Sequence, residues 1–308
     1  MAPRLFDCFT FFDELDVLDL RLRELDSLVH KFVLVEGTLT FSGQRKELTF
    51  LKNRSRFEKF LHKIEYVVVD DMPANARSAW DREYFSRQAI MRGLSDAEPN
   101  DFVLISDIDE IPKPKSLHQA LLSADSPNLF TVFESDCYYF YFNLKASSRK
   151  PSLVQAPRLL LKKYANDPQA VRGFKPRVSK NERLRAIEPL ILRLRTWSRF
   201  GSPLGVHIVP TSAWHFTYNG KPDRLRSRIL AYSHTEKATP LIVDTDRIER
   251  ALQERSNIFD QSETFEEVPL DHSLPRALVS DPERWKECLT PAALAAHIIE
   301  SPSGLTAI

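Results

Sequence analysis

Glycine is scarce in this chain, 8 of 308 residues against 20 prolines, so its turns are built mainly without it. That scarcity argues against glycine-loop nucleotide sites, and neither G-x-G-x-x-G nor G-x-x-x-x-G-K-[ST] occurs. Cysteine is scarcer still. Cys8, Cys137 and Cys288 lie far apart with no C-x-x-C spacing, which argues against a disulfide framework or a thiolate zinc site and implies reduced thiols. Net charge is almost absent: 43 Lys plus Arg against 42 Asp plus Glu leave +1, and nothing favours nucleic acid as a partner. No apolar run approaches the roughly 18 residues of a membrane span. The opening MAPRLFDCFTFFDELD turns acidic by residue 13 and lacks the apolar core of a signal peptide. A cytoplasmic protein is expected, with no transmembrane segment and only peripheral membrane contact left open.

The first half alternates short apolar runs with helical patterns. Leu5 to Phe12 reads as a strand. Asp13 then caps a helix in which Leu15, Leu18, Leu22 and Leu25 share one face. Phe32 to Val35 ends at Glu36, and Tyr66 to Val69 ends at Asp70 and Asp71. Asp81 is expected to cap a helix running to about Leu94, and Phe102 to Ile105 forms a fourth strand ending at Ser106 and Asp107. Continuous apolar strands separated by helices imply an α/β fold with a mainly parallel sheet covered on both faces. Polar residues gather at the strands' carboxyl ends, where such sheets place their ligands. Beyond Pro112, Leu129 to Phe142 and Arg158 to Lys163 are strand candidates. Residues 166–205 read as a basic, irregular loop or small subdomain. Helices are expected at about Asp223 to Tyr232, Asp244 to Arg255 and from Thr290.

Three constellations can carry chemistry. In VLISDIDEIP, residues 103–112, a buried strand delivers Asp107 and Asp109, with Glu110 beside them. Carboxylates at i and i+2 can share a divalent cation, which in turn neutralises a diphosphate; the bland alternative is an acidic helix-capping turn. In WDREYFSRQAIMRGL, residues 80–94, Arg87 either reaches a phosphate or sugar or pairs with Glu83 one turn away. In SAWHFTY, residues 212–218, His215 is a metal ligand or a core histidine, and His234 is its rival.

Taken together, DCFTFFDELDVLDLRLRELDSLVHKFVLVEGTLTFSG, VVVDDMP, WDREYFSRQAIMRGL, SDIDEIP and WHFTY resemble glycosyltransferase family 17, over residues 5–112 and again near 205–236. The resemblance implies a GT-A-like, Rossmann-related fold and one continuous catalytic domain. Residues 1–112 would be the nucleotide-sugar-binding half, ending in the D-x-D motif, and 113–308 the acceptor-side half with C-terminal helices. It also implies a metal-dependent, inverting transfer of a sugar, N-acetylglucosamine from UDP-GlcNAc by family analogy, to a glycan or glycolipid.

On that resemblance Asp107, Asp109 and His215 hold Mn²⁺ or Mg²⁺, and Arg87 contacts the donor sugar or diphosphate. Glu36 and Asp71 hold nucleoside hydroxyls, Trp214 with Phe216 forms a sugar platform, and His234 touches donor phosphate. Asp109 counts among the catalytic residues, and Glu110 is the candidate base, with support of the metal aspartates as its alternative role. Two other classes use some of the same residues. A haloacid-type phosphohydrolase employs an aspartate pair after an apolar strand, although here the hydroxyl residue expected two places after the second Asp is Ile111. A non-catalytic carbohydrate-binding protein would use the aromatics but not the carboxylate pair.

Overall fold

The computed structural model describes residues 2–123, 125–177, 186–220, 222–233, 238–260 and 263–300. It divides into two compact units. The first comprises Met1–Asp136, Pro151–His215 and Leu230–Thr235, and the second Cys137–Lys150, Phe216–Ile229 and Glu236–Ile308.

The fold is the mixed α/β architecture that the alternating pattern implies. Strands β1 (Leu5–Phe11), β2 (Lys31–Gly37), β3 (Ile64–Val69) and β4 (Phe102–Ile105) stand in the first unit in the order β4-β1-β2-β3, every neighbouring pair parallel. β8 (Arg158–Leu161) adds antiparallel to β4, with the first part of β6 (Leu129–Tyr139) beyond it. The chain winds from β1 through β2 to β3, then returns to the other side of β1 to lay down β4. The order therefore reverses between β1 and β4, and the crevice outside their carboxyl ends is where such a sheet receives a ligand. The strands are apolar on both faces because helices cover both. Phe6, Cys8, Val33, Val35, Val103, Ile105 and Leu160 form one buried cluster.

Helix α1 (Leu15–Leu25) buries Leu18, Leu22 and Leu25 as expected and half-buries Leu15, but Glu14, not Asp13, is its cap residue. The Glu14 carboxylate folds back to accept from the amides of Phe12 and Asp13. Helix α2 is the single turn Thr49–Lys52. Helix α3 (Ala79–Gln88) begins at Ser78, not Asp81. The Ser78 hydroxyl accepts from the Asp81 amide at 3.0 Å, and Asp81 accepts from the Ser78 amide at 2.9 Å, a reciprocal capping box. After Gln88 the helix tightens to 3₁₀ turns over Ala89–Leu94. There Gly93 lies so close to the sheet that a Cβ would stand 2.4 Å from Val33 Cγ1.

Strand β6 stops at Tyr139, short of the expected Phe142, because Phe140 takes a left-handed φ of 65°. β5 (Glu110–Pro112) pairs antiparallel with β9 (Gly205–Thr217), placing Glu110 opposite His215 and Ile111 opposite Trp214. Helix α4 is Pro114–Leu122. Residues 166–205 are not an irregular loop where described. They hold α5 (Pro168–Arg172) and α6 (Glu188–Phe200), each with a proline in its first turn, a helix start that the basic composition masked.

The second unit contains β7 (Leu144–Ala146) paired antiparallel with β10 (Phe265–Glu267), and an aromatic core around Tyr139, Phe140 and Phe265. Helices Thr245–Glu254 and Pro291–Glu300 match their expected positions. Among the described residues no helix is long and apolar enough to cross a membrane, and the three cysteines are free and buried.

Candidate functional site

The D-x-D turn leaves the carboxyl end of β4 at the reversal of strand order. The Glu110 amide donates to the Asp107 carbonyl at 3.1 Å, closing a tight turn before β5. A buried arginine that sequence reasoning passed over holds this turn. Arg21, on α1, forms a two-pronged ion pair with Asp7 of β1 at 2.6 and 2.8 Å, both side chains fully buried. Its Nη1 donates to the carbonyls of Asp107, Ile108 and Glu110 at 3.1, 3.0 and 3.0 Å, and its Nη2 to Ser106 Oγ at 2.7 Å. The guanidinium also lies 4.6 Å from the Phe9 ring centre. A buried cation must be paired, and every partner that Arg21 takes tethers the turn to β1.

Asp107 is the open member of the cluster, its side chain 35% exposed. Arg87 of α3 donates to its Oδ1 at 3.0 Å, and Arg172 of α5 donates to its Oδ2 at 2.8 Å. Burial opposes ionisation of Asp107, but the two guanidiniums outweigh it and hold the carboxyl well below the usual range. Arg172 also reaches Glu110 Oε1 and the Val154 carbonyl. Glu110 has no exposed surface. Burial, with repulsion from Asp107 and Asp109, pushes its carboxyl up to about 7 in spite of Arg172 and His215. Burial lowers a cation's affinity for its proton, but Asp107 and Glu110 more than restore it for Arg172. A third guanidinium, Arg158 of β8, is buried nearby on the carbonyls of Leu153, Val154 and Ala156; burial and then repulsion from Arg172 pull it down to about 9.

The Glu83 pairing expected of Arg87 is present, and Glu83 is not the residue's only partner. Arg87 pairs with Glu83 at 2.8 Å as well as with Asp107, and it donates to Gln169. His215 Nε2 lies 3.6 Å from Asp109 Oδ2, both side chains buried. Opposed residues of an antiparallel pair share a face, so Glu110 and His215 lie on one side of the β5–β9 ribbon and Ile111 and Trp214 on the other. Trp214 is buried on that second face, with Lys113 Nζ 5.6 Å from its ring centre, and so does not stand beside His215 as an open sugar platform.

Glu36 lies one residue before the end of β2, but its buried carboxylate is occupied within the protein. Oε1 accepts from Lys46 Nζ and the Thr49 amide, both at 2.6 Å, and Oε2 from the Phe50 amide at 3.1 Å and Tyr66 OH at 2.9 Å. With two donors on each oxygen, a ribose hydroxyl would have to displace one of them. Asp71 is more than half exposed and held on both oxygens by Arg92. His234 lies outside the described residues.

The donor types at the turn suit Mn²⁺ or Mg²⁺. Asp109 and His215 already face each other, whereas the Asp107 oxygens face Arg87 and Arg172. Accordingly, among the described residues no three His, Cys, Asp or Glu side chains converge on one point as they stand. Arg172 and Arg21 are the site residues that the sequence reading missed.

The sequence profile of glycosyltransferase family 17 matches residues 1–169, more than half the chain and the part that carries α3 and the D-x-D turn. The chain belongs to that family. The rat β-1,4-mannosyl-glycoprotein 4-β-N-acetylglucosaminyltransferase is 32% identical to it over 117 residues, covering 35% of this chain and 22% of the rat protein. The human protein of the same name is 34% identical over 107 residues, 32% of this chain and 20% of its own length. The match thus spans about a fifth of these relatives. Among solved structures, HddC from Yersinia pseudotuberculosis is 12% identical with a TM-score of 0.36, covering 68% of this chain and 91% of HddC, a likeness too slight to argue from. Arg172 falls just past the matched family segment.

Proposed function

We propose that this chain transfers a sugar from a nucleotide-diphosphate donor to a hydroxyl of a glycan or glycolipid. The observation that carries the reading is the Asp107–Glu110 turn, fixed at the strand-order reversal with Arg87 and Arg172 converging on Asp107. The donor is a UDP-sugar, UDP-GlcNAc by family analogy. Its diphosphate offers the two guanidiniums an alternative anion of greater charge, and a charge-assisted bond to phosphate contributes about 1.5–3 kcal/mol. Moving to the donor frees Asp107. A divalent cation held by Asp109, His215 and the freed Asp107 would supply positive charge against that developing on the leaving nucleotide. Glu110 is the candidate base for the acceptor hydroxyl, in a displacement that inverts the sugar carbon. Its alternative role, support of the aspartates, is favoured by the bond that Oε2 accepts from the Asp107 amide at 3.3 Å.

The test is nucleotide release from UDP-, GDP- and dTDP-sugars, with and without Mn²⁺, by the wild type and by Asp109→Asn. Turnover of one donor class that is lost in the variant and in excess chelator supports the reading. Phosphate release from simple phosphomonoesters, or sugar binding without turnover of any donor, refutes it.

A further inference from the structure

Helix α6 (Glu188–Phe200, EPLILRLRTWSRF) presents its two sides very differently. Leu192 and Thr196 are buried, and Phe200 packs on Phe130 and Phe174 at 5.3 and 5.5 Å between ring centres, so the helix is seated on the first unit. At about 100° per residue, Leu190, Leu194 and Trp197, with Ile187 at the cap, fall in one sector of roughly 80° opposite that seat. They are 61%, 52%, 59% and 49% exposed. Arg193 borders this stripe on one side; on the other, Ser198 and half-buried Ile191 come first and Arg195 and Arg199 follow, and all three arginines are exposed. Single exposed apolar side chains are ordinary, but four in register on one helix face are not.

The stripe and its borders select an occupant. A helix lying in a bilayer interface sinks its apolar side chains below the headgroups, keeps its guanidiniums at phosphate level and favours tryptophan at that depth. The charge is local. Arg193, Arg195 and Arg199 share α6 with one acidic residue, Glu188, and Lys175 and Arg177, the latter 3.9 Å from Glu134, are exposed on the same unit, while the whole chain carries just +1. A second copy docking stripe against stripe would set arginine against arginine, which disfavours self-association through this face. We propose that α6 is a membrane-surface helix that docks the first unit on an anionic lipid bilayer. The inference rests on the helix itself and not on the sugar-transfer reading.

The test is co-sedimentation of the full chain with vesicles of phosphatidylcholine alone and of phosphatidylcholine mixed with phosphatidylglycerol, alongside tryptophan emission. The proposal expects binding to the mixed vesicles only, weakened by salt, with a blue shift that Trp197→Phe removes. Leu194→Glu and Arg193→Glu replace exposed side chains and should leave the melting temperature unchanged. Each should weaken vesicle binding by about tenfold or more. Absence of binding to the mixed vesicles, equal binding to both kinds, or equal binding by Leu194→Glu would overturn it. So would a dimer, seen by analytical ultracentrifugation, that Leu194→Glu dissociates while vesicles leave the wild type in solution.

Discussion

Arg21 offers the sharpest test of how the D-x-D turn is held. Its guanidinium serves the Asp7 carboxylate, Ser106 Oγ and the carbonyls of Asp107, Ile108 and Glu110. Arg21→Met leaves Asp7 buried without its partner, which costs about 3–5 kcal/mol. Adding Asp7→Leu removes both charges together, and the loss from the pair largely cancels. The three carbonyls still lack their donor, at about 1 kcal/mol each or somewhat more. The double variant should therefore remain about 3 kcal/mol below wild type, and amide exchange over residues 106–111 should quicken although the rest of the sheet keeps its protection. Denaturant unfolding with an unchanged slope measures the first quantity, and hydrogen exchange the second. A double variant as stable as wild type, with exchange at the turn unaltered, would mean that Arg21 merely neutralises Asp7 and that the turn holds itself.

Three further outcomes are expected. Arg172→Ala should weaken UDP-sugar binding about tenfold or more, from the loss of one charged hydrogen bond, with Arg172→Lys intermediate; calorimetric titration would show it, and undiminished affinity would make Arg172 purely structural. Gly93→Ala would place its Cβ 2.4 Å from Val33 Cγ1 and 3.1 Å from Val67 Cγ2, and should cost about 1–3 kcal/mol through overpacking; a melting temperature equal to wild type would contradict the close approach. Burial opposes ionisation of Asp101, but Arg4 and the amides of Arg4 and Glu98 hold its carboxyl below the ordinary 3.8. The stability that it contributes is complete above that pH and is lost as the pH falls through the depressed folded value, so Asp101→Asn should flatten the acid limb of stability against pH. Identical acid limbs in the two proteins would count against it.

What the sequence made legible follows from what kind of signal each feature leaves. Strands β1 to β4 were readable to within two residues because each carries an apolar run stopped by a polar residue, and the D-x-D turn was readable because it follows one of them. Arg87 was found because its helix leads into that strand. Arg172 was not, because its contacts with Asp107 and Glu110 join residues more than sixty positions apart, out of a stretch whose basic composition suggested a loop. Arg21 did leave a trace. It stands three residues after Leu18, on the face that the leucine spacing buries, and Asp7 stands within an apolar strand, so two opposite charges were each out of place. Glu36 shows the converse. Its strand-end position was correctly expected, but only the fold reveals that Lys46, Tyr66 and two amides already occupy its oxygens.

The pairing of Glu110 with His215 across β5 and β9 has a bearing on how this chain can tolerate changes in length. β5 is three residues long, and the register sets which of two neighbouring side chains, imidazole or indole, looks toward the carboxylates. A single residue inserted or deleted near the site end of β9 would turn Trp214 or Phe216 inward in place of His215 although the histidine itself stays in the chain. Insertions should therefore be borne in the loops beyond the ribbon and rejected within it. For this strand, spacing is as much a determinant of the site's chemistry as the identity of the histidine.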